Sequence, residues 1–306
     1  MNHGWIYHDR IDRSTAGVTV LHYYSQRYAH STVQEWQARI EQGQVRLNDR
    51  PVTAETRLQP GQRLSYHRPP WQEPTVPLDF EILYEDADLL VVAKPSELPV
   101  LPGGGFVEHT VLWQLQQRYP DQTPVPIHRL GRGTSGLLLL ARSPLAKTHL
   151  SQQLRDRTLR KTYRALIAAS ALPDRLIVNQ AIGKLPHPTL GYIYAATESG
   201  FDAHSEIEVI QRDRTSTLLN VTILTGRPHQ IRIHLSAIGY PLLGDPLYTV
   251  GGIPRLETNP ITHKIPVPGD CGYALHAYQL EFVHPRSQQP LHLTCIPPVP
   301  LRKTGE

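Results

Sequence analysis

The chain has 306 residues, 40% of them hydrophobic and 19% charged, with a formal net charge of +4 and a pI near 9.0. That length allows one large domain with a smaller partner and a substantial buried core, and the basic balance, carried mainly by arginine, favours a polyanionic partner. Cys271 and Cys295 form no CxxC pattern, so neither a disulfide framework nor a zinc ribbon is supported; with no signal pattern and no long apolar run, a soluble cytoplasmic protein is expected.

In chain order, GVTVLHYYSQRY (17–28) has apolar residues at helical spacing. Thr32 to Glu35 reads as a capping box that opens the helix VQEWQARIEQ, which Gly43 ends. QVRLNDRPV follows as a strand with a turn at Asn48-Asp49, and Pro60-Gly61 makes a second turn before another strand. Arg39, Arg46, Arg50, Arg57 and Arg63 punctuate this unit. The run QEWQARIEQGQVRLNDRPVTAETRLQPGQRLSY (34–66) resembles the S-four RNA-binding domain of ribosomal proteins and some RNA-modifying enzymes. The resemblance implies a domain over 1–70 whose Arg39, Arg46 and Arg50 hold RNA phosphates without much sequence choice. The alternative is a solvated basic face on an unrelated α+β module. Residues 71–77, within RPPWQEPTVP, read as a stiff linker.

Residues 78–306 follow a different pattern. FEILYEDADLLVVAKP holds two strands around the turn EDAD, HTVLWQLQQRY a helix, GLLLLARS a strand and PLAKTHLSQQLRDR a helix. KTYRALIAA reads as a strand and SEIEVIQRDRTSTLLNVTIL as a hairpin. Without regular βαβ repetition, this mixture predicts an α+β fold with a mainly antiparallel or mixed sheet.

Three segments carry chemistry. HRLGRGTSG (128–136) formally matches GxGxxG, but its glycines precede a strand instead of opening a helix, and no GK[ST] follows. The better reading is a tight glycine loop that brings His128, Arg129 and Arg132 into a cleft, against the plainer one of a solvated loop. In HQIRIHL, if a strand, alternation sets His229, Ile231 and Ile233 opposite Gln230, Arg232 and His234, with Arg227 close by. No carboxylate or cysteine lies at ligand spacing from the histidines, so a metal is not expected. In KTYRAL, Tyr163 between Lys161 and Arg164 is either a sheet aromatic or a phenol whose pKa neighbouring cations lower, fit to act as a base.

Together with YEDADLLVVAKPSELPVLP (84–102), TGRPHQIRIHLSAIGYPLLGDPLY (225–248) and ALHAYQLEFVHP (274–285), these segments resemble the RluA family of RNA pseudouridine synthases over about residues 80–298. The resemblance implies the pseudouridine synthase fold over 78–306 and an rRNA or tRNA partner. It also implies isomerisation of uridine to pseudouridine in a flipped-out base, without cofactor or metal, by a monomer that does not touch membranes. By motif position, Arg129 displaces the base, Tyr163 stacks on the uracil and assists the final proton removal, Arg232 pairs with the catalytic aspartate, and Leu235 lines the pocket. His128, Arg132, Arg227 and His229 would join Arg129 in holding RNA. The family's aspartate falls on Gly131, which can be neither nucleophile nor base and would leave Arg232 free to hold a phosphate. Three outcomes stay open at this point: a carboxylate from Asp88, Asp202, Glu206 or Asp245 (the last reading best as a turn residue), a non-catalytic RNA-binding protein, or other chemistry in the same pocket.

Overall fold

The computed structural model describes residues 1–28, 31–187, 190–258 and 263–306. They form two units, Met1–Glu73 with His187–Gly191, and Pro74–Pro186 with Tyr192–Glu306.

In the smaller unit, helix Val20–Arg27 is capped by Thr19, whose hydroxyl accepts from the His22 N–H. Helix Val33–Glu41 opens with the expected capping box: Thr32 Oγ1 accepts from Glu35 N–H, and the Glu35 carboxylate accepts from Thr32 N–H at 2.7 Å. Such reciprocal caps each contribute about 1 kcal/mol. Both helices turn aromatic faces inward, and Tyr24 stacks on Trp36 at 4.5 Å between ring centroids. They cover an antiparallel sheet ordered Trp5–Arg10, Arg63–Arg68, Val45–Leu47, Arg50–Pro51. Asn48 (φ 48°) and Asp49 (φ 68°) both take the left-handed conformation that a two-residue hairpin turn requires, and these residue types tolerate it. Strand Trp5–Arg10 carries no alternation and escapes the sequence pattern. The segment read as a linker is tied down over its first half. Asn2 and Trp71 exchange hydrogen bonds, Arg68 lies 3.6 Å over the Trp71 ring, and the buried Glu73 accepts from Asn2 Nδ2 at 2.6 Å.

The larger unit is built on one ten-stranded sheet. Its main path runs Arg175–Val178, Ser205–Arg212, Ser216–Ile223, Arg160–Ala168, Leu275–Val283, Ser135–Ala141, Leu89–Lys94, Glu81–Glu85. Neighbours pair antiparallel except Leu275–Val283 with Ser135–Ala141, which run parallel, so the fold is α+β with a mixed sheet, as the pattern predicts. The run Leu137 to Leu140 has no exposed surface, because helices Val111–Arg118 and Pro144–Arg155 and the neighbouring strands leave it no wet face. Each such leucine contributes about 1.5–3 kcal/mol. At the parallel pairing, Gly136 sits at φ +101°, and a Cβ there would stand 2.2 Å from the Ala277 carbonyl oxygen, so no other residue fits.

HQIRIHL is not a strand. Gln230–Ala237 is a helix, entered through His229 at φ +56°. The Gln230 side chain fixes the entry: its Oε1 accepts from Thr225 Oγ1 at 2.7 Å and Arg227 N–H at 3.1 Å, and its Nε2 donates to the His204 carbonyl at 2.8 Å. Gln230 to Ser236 are all buried, so the helix lacks the polar face that marks a helical period, and its buried polar residues mimic strand alternation.

Candidate active site

A cleft of about 710 Å³ opens in the larger unit. Three of the sequence motifs meet there. Strand Arg160–Ala168 supplies Lys161 and Tyr163, the glycine loop supplies His128, Arg129 and Gly131, and the turn and helix at 226–232 supply Arg227, His229 and Arg232. None of the lining residues among those described is Asp or Glu.

The cations are held differently. Arg129 is exposed at the rim. Arg227 donates from Nε to the Asp202 carbonyl at 2.9 Å and packs over the Phe201 ring. Lys161 is 4% exposed, and its buried ammonium is pushed down to about 8 because desolvation penalises the charge. Arg232 is not free: its Nε and Nη2 grip Asp245 in a bidentate pair, both at 2.7 Å, with side chains 3% and 1% exposed. Its Nη1 has no hydrogen-bond partner among the described residues. The expectation of an unpartnered Arg232 poised for phosphate is therefore corrected. Asp245 does serve its turn, accepting from Leu247 and Tyr248 N–H at 2.9 and 3.1 Å, but the same carboxylate neutralises the buried guanidinium.

Expectations change for five further residues. Arg132 does not enter the cleft; its Nε donates to the Gly269 carbonyl at 2.7 Å and its guanidinium lies over Phe106. Leu235 is fully buried in the core and does not line the cleft. The Tyr163 phenol is pushed above its ordinary value by burial, not lowered by cations, so at neutral pH it is an aromatic surface and a hydrogen-bonding hydroxyl. His128 accepts the Leu139 N–H on Nε2 at 3.2 Å, which leaves the proton on a buried Nδ1 with no partner; desolvation pushes this imidazole down to about 3. His229 Nδ1 donates to the Tyr248 hydroxyl at 2.8 Å, which itself donates to the Tyr194 carbonyl, and burial keeps this ring neutral as well. Both histidines are framework, not cations for RNA.

Of the four acids considered, Asp88 is sequestered by Arg286 and Ser143, Asp202 is exposed, and Glu206 pairs with Arg160. Of these four carboxylates, only that of Asp245 bonds a residue lining the cleft, Arg232. Sequence reasoning missed Tyr273, which lies one residue before a quoted motif. It is 6% exposed, lines the cleft, and stacks on Arg232 with the guanidinium carbon 4.1 Å from the ring centroid. Its hydroxyl lies 3.3 Å from Thr134 Oγ1.

A family model described as RNA pseudouridylate synthase matches residues 88–237. An uncharacterized RNA pseudouridine synthase of Synechocystis sp. is 52% identical over 91% of this chain and 94% of its own. RNA pseudouridine synthase 5 of Arabidopsis thaliana is 39% identical over 92% of this chain and 89% of its own. The ribosomal large subunit pseudouridine synthase D of Nitrosomonas europaea is 34% identical over 86% and 75%. Among solved structures, human RNA Pseudouridylate Synthase Domain Containing 1 superposes with a TM-score of 0.55 at 23% identity, covering 74% of this chain and 86% of that one, and shares the fold. With its fold, its cationic cleft and these relatives, the chain belongs to the RNA pseudouridylate synthase family.

Proposed function

We propose that this protein isomerises uridine to pseudouridine in RNA, acting on a base turned out of its stack into the cleft. One observation carries the reading beyond family membership. The cleft sets cationic Arg129, Arg227 and Lys161 around the buried ring of Tyr163, which gives phosphate and ribose a positive rim and a flipped pyrimidine an aromatic surface. Unstacking costs a few kcal/mol, which backbone contacts would offset.

The smaller unit supports the same reading as an S-four-type RNA clamp. Arg46 and Arg50 are exposed beside the Asn48-Asp49 turn, free to meet phosphates. Arg39 is committed inward, 4.5 Å over Trp36 and bonded to Ser31 Oγ, and holds the fold more than RNA. The name of the Nitrosomonas relative favours ribosomal RNA as the substrate and, with it, a cytoplasmic location.

A second reading, RNA binding without catalysis, draws on the absence of Asp and Glu from the described lining. Tritium release separates the two. Total RNA labelled at uracil carbon five, taken from cells lacking the gene, is incubated with purified protein. Release above background is expected. RNA retention without release would establish the second reading instead.

A further inference from the structure

The position that the family resemblance assigns to the catalytic aspartate is Gly131, and the structure explains why nothing larger is there. Gly131 is not among the residues with positive φ, so its backbone would accept any side chain. What bars a side chain is space. A Cβ on Gly131 would stand 2.8 Å from the Tyr273 hydroxyl, and only Thr134 Oγ1, at 3.5 Å, is otherwise within 4 Å. Gly133 tells the same story, since its Cβ would meet Tyr273 Cε1 and the ring carbon bearing the hydroxyl, both at 2.9 Å. Both glycines of the loop thus make room for one phenol. The ring cannot swing aside freely, because it is buried between the loop and the Arg232 guanidinium.

We propose that Tyr273 is the catalytic residue in place of the missing aspartate, its phenol oxygen delivered to the point in the cleft towards which a residue-131 side chain would project. This rests on the reading above that the protein is a pseudouridine synthase. Asp245 does not compete for the role, because its carboxylate is 1% exposed and is taken up by Arg232 and two backbone N–H groups. A tyrosine oxygen is an attested nucleophile at the anomeric carbon of sugars. Here the oxygen bonds to ribose C1′ while the bond from C1′ to uracil N1 breaks. The phenolate is the attacking form, so the electron pair of that bond leaves with the base as the uracil anion. After the base turns, its C5 attacks C1′, the C1′–O bond to Tyr273 breaks to return the phenolate, and the proton on C5 passes to N1. Atoms and charge balance without a further reagent.

The charged and titratable neighbours of the phenol are Arg232, Asp245, Cys271 and Tyr248. Burial, the largest influence, pushes its pKa up, and Arg232 and the Thr134 hydroxyl pull against that. The reactive phenolate is thus scarce at neutral pH, and the rate should climb with pH where a carboxylate enzyme's would be level.

The test compares the wild type with Tyr273→Phe, Gly131→Asp and the double variant carrying both, using tritium release from the labelled total RNA, RNA affinity by filter binding, and rate against pH. Tyr273→Phe should lower release at least 100-fold with RNA affinity within twofold. Gly131→Asp alone should gain nothing, because its side chain meets the hydroxyl. The double variant has that space and should recover at least tenfold over Tyr273→Phe, with a rate level above pH 6 where the wild type still rises. Should Tyr273→Phe release tritium within threefold of an active wild type, or the wild-type rate be level from pH 6 to 9, the assignment is overturned while the synthase reading stands. A wild type that binds this RNA but releases no tritium would overturn both.

Discussion

Removing the carboxylate of Asp245 tests whether the Arg232–Asp245 pair belongs to the framework or to the reaction. Both side chains are withdrawn from water, at 3% and 1% exposure. The carboxylate accepts four hydrogen bonds, two from the guanidinium at 2.7 Å and two from the N–H groups of Leu247 and Tyr248 at 2.9 and 3.1 Å. Asp245→Ala would strand a guanidinium that already has one unpartnered nitrogen. Breaking a buried pair from one side costs about 3–5 kcal/mol, far above the 0–1 kcal/mol of a surface pair. Replacing both partners, as Arg232→Met with Asp245→Leu, removes the stranded charge and should cost clearly less than Asp245→Ala alone. The assay is urea unfolding of Asp245→Ala beside a thermodynamic cycle of the wild type, Arg232→Met, Asp245→Leu and the double variant, with an expected coupling of at least about 2 kcal/mol. Hydrogen exchange across Gln230–Ala237 should loosen in parallel. A loss under about 1 kcal/mol for Asp245→Ala would refute the reasoning, because it would mean that water reaches the guanidinium.

Two further outcomes are expected. The pKa of His128 is about 3 in the folded state against 6.5 for a free imidazole, so the unfolded chain binds the extra proton first as pH falls. Stability from this group is therefore complete above about pH 6.5 and is lost towards pH 3, at about 1.4 kcal/mol per pH unit. Urea unfolding at pH 7 and pH 5 should show the wild type losing about 2 kcal/mol more than His128→Gln, and equal losses would contradict the buried neutral ring. Arg129, exposed at the rim and without a carboxylate partner among the described residues, should contribute one phosphate contact. Arg129→Ala should then flatten the slope of log affinity against log salt by about one; an unaltered slope would place Arg129 on the base instead of the backbone.

The fold was legible where local chemistry and burial pattern agree. The Thr32–Glu35 box, the Asn48-Asp49 turn and the Leu137 to Leu140 run each have one physical solution, and the structure adopts it. HQIRIHL was misread because its polar side chains are satisfied inside the protein, so hydrophobicity no longer reports which way a residue faces. Gln230 and His234 bond to carbonyls from distant segments, and Arg232 bonds to Asp245, thirteen residues away; no local pattern carries those partners. The motifs did bring Arg129, Tyr163, Arg227 and Arg232 to one cleft. What they could not show was Tyr273, 142 positions from Gly131 in the chain and joined to it by the parallel strand pairing at Ser135 and His276.

That pairing gives the glycines of HRLGRGTSG three separate physical reasons. Gly136 is fixed by the backbone, since a carbonyl oxygen occupies the place of its Cβ. Gly133 is fixed by packing against the Tyr273 ring and the Cys271 backbone. Gly131 alone is set by a single hydroxyl, and that makes it the one glycine whose replacement a second, conservative change can relieve. A loop that had merely lost its aspartate would leave a gap facing Arg232, and a gap lined by a buried cation costs more than one that is filled. Instead the Asp245 carboxylate neutralises the guanidinium and the Tyr273 ring packs against it, so the charge is met without residue 131. On the proposal above, Gly131, Tyr273 and Asp245 act as one constellation, in which the oxygen at the reacting centre comes from the segment just before strand Leu275–Val283.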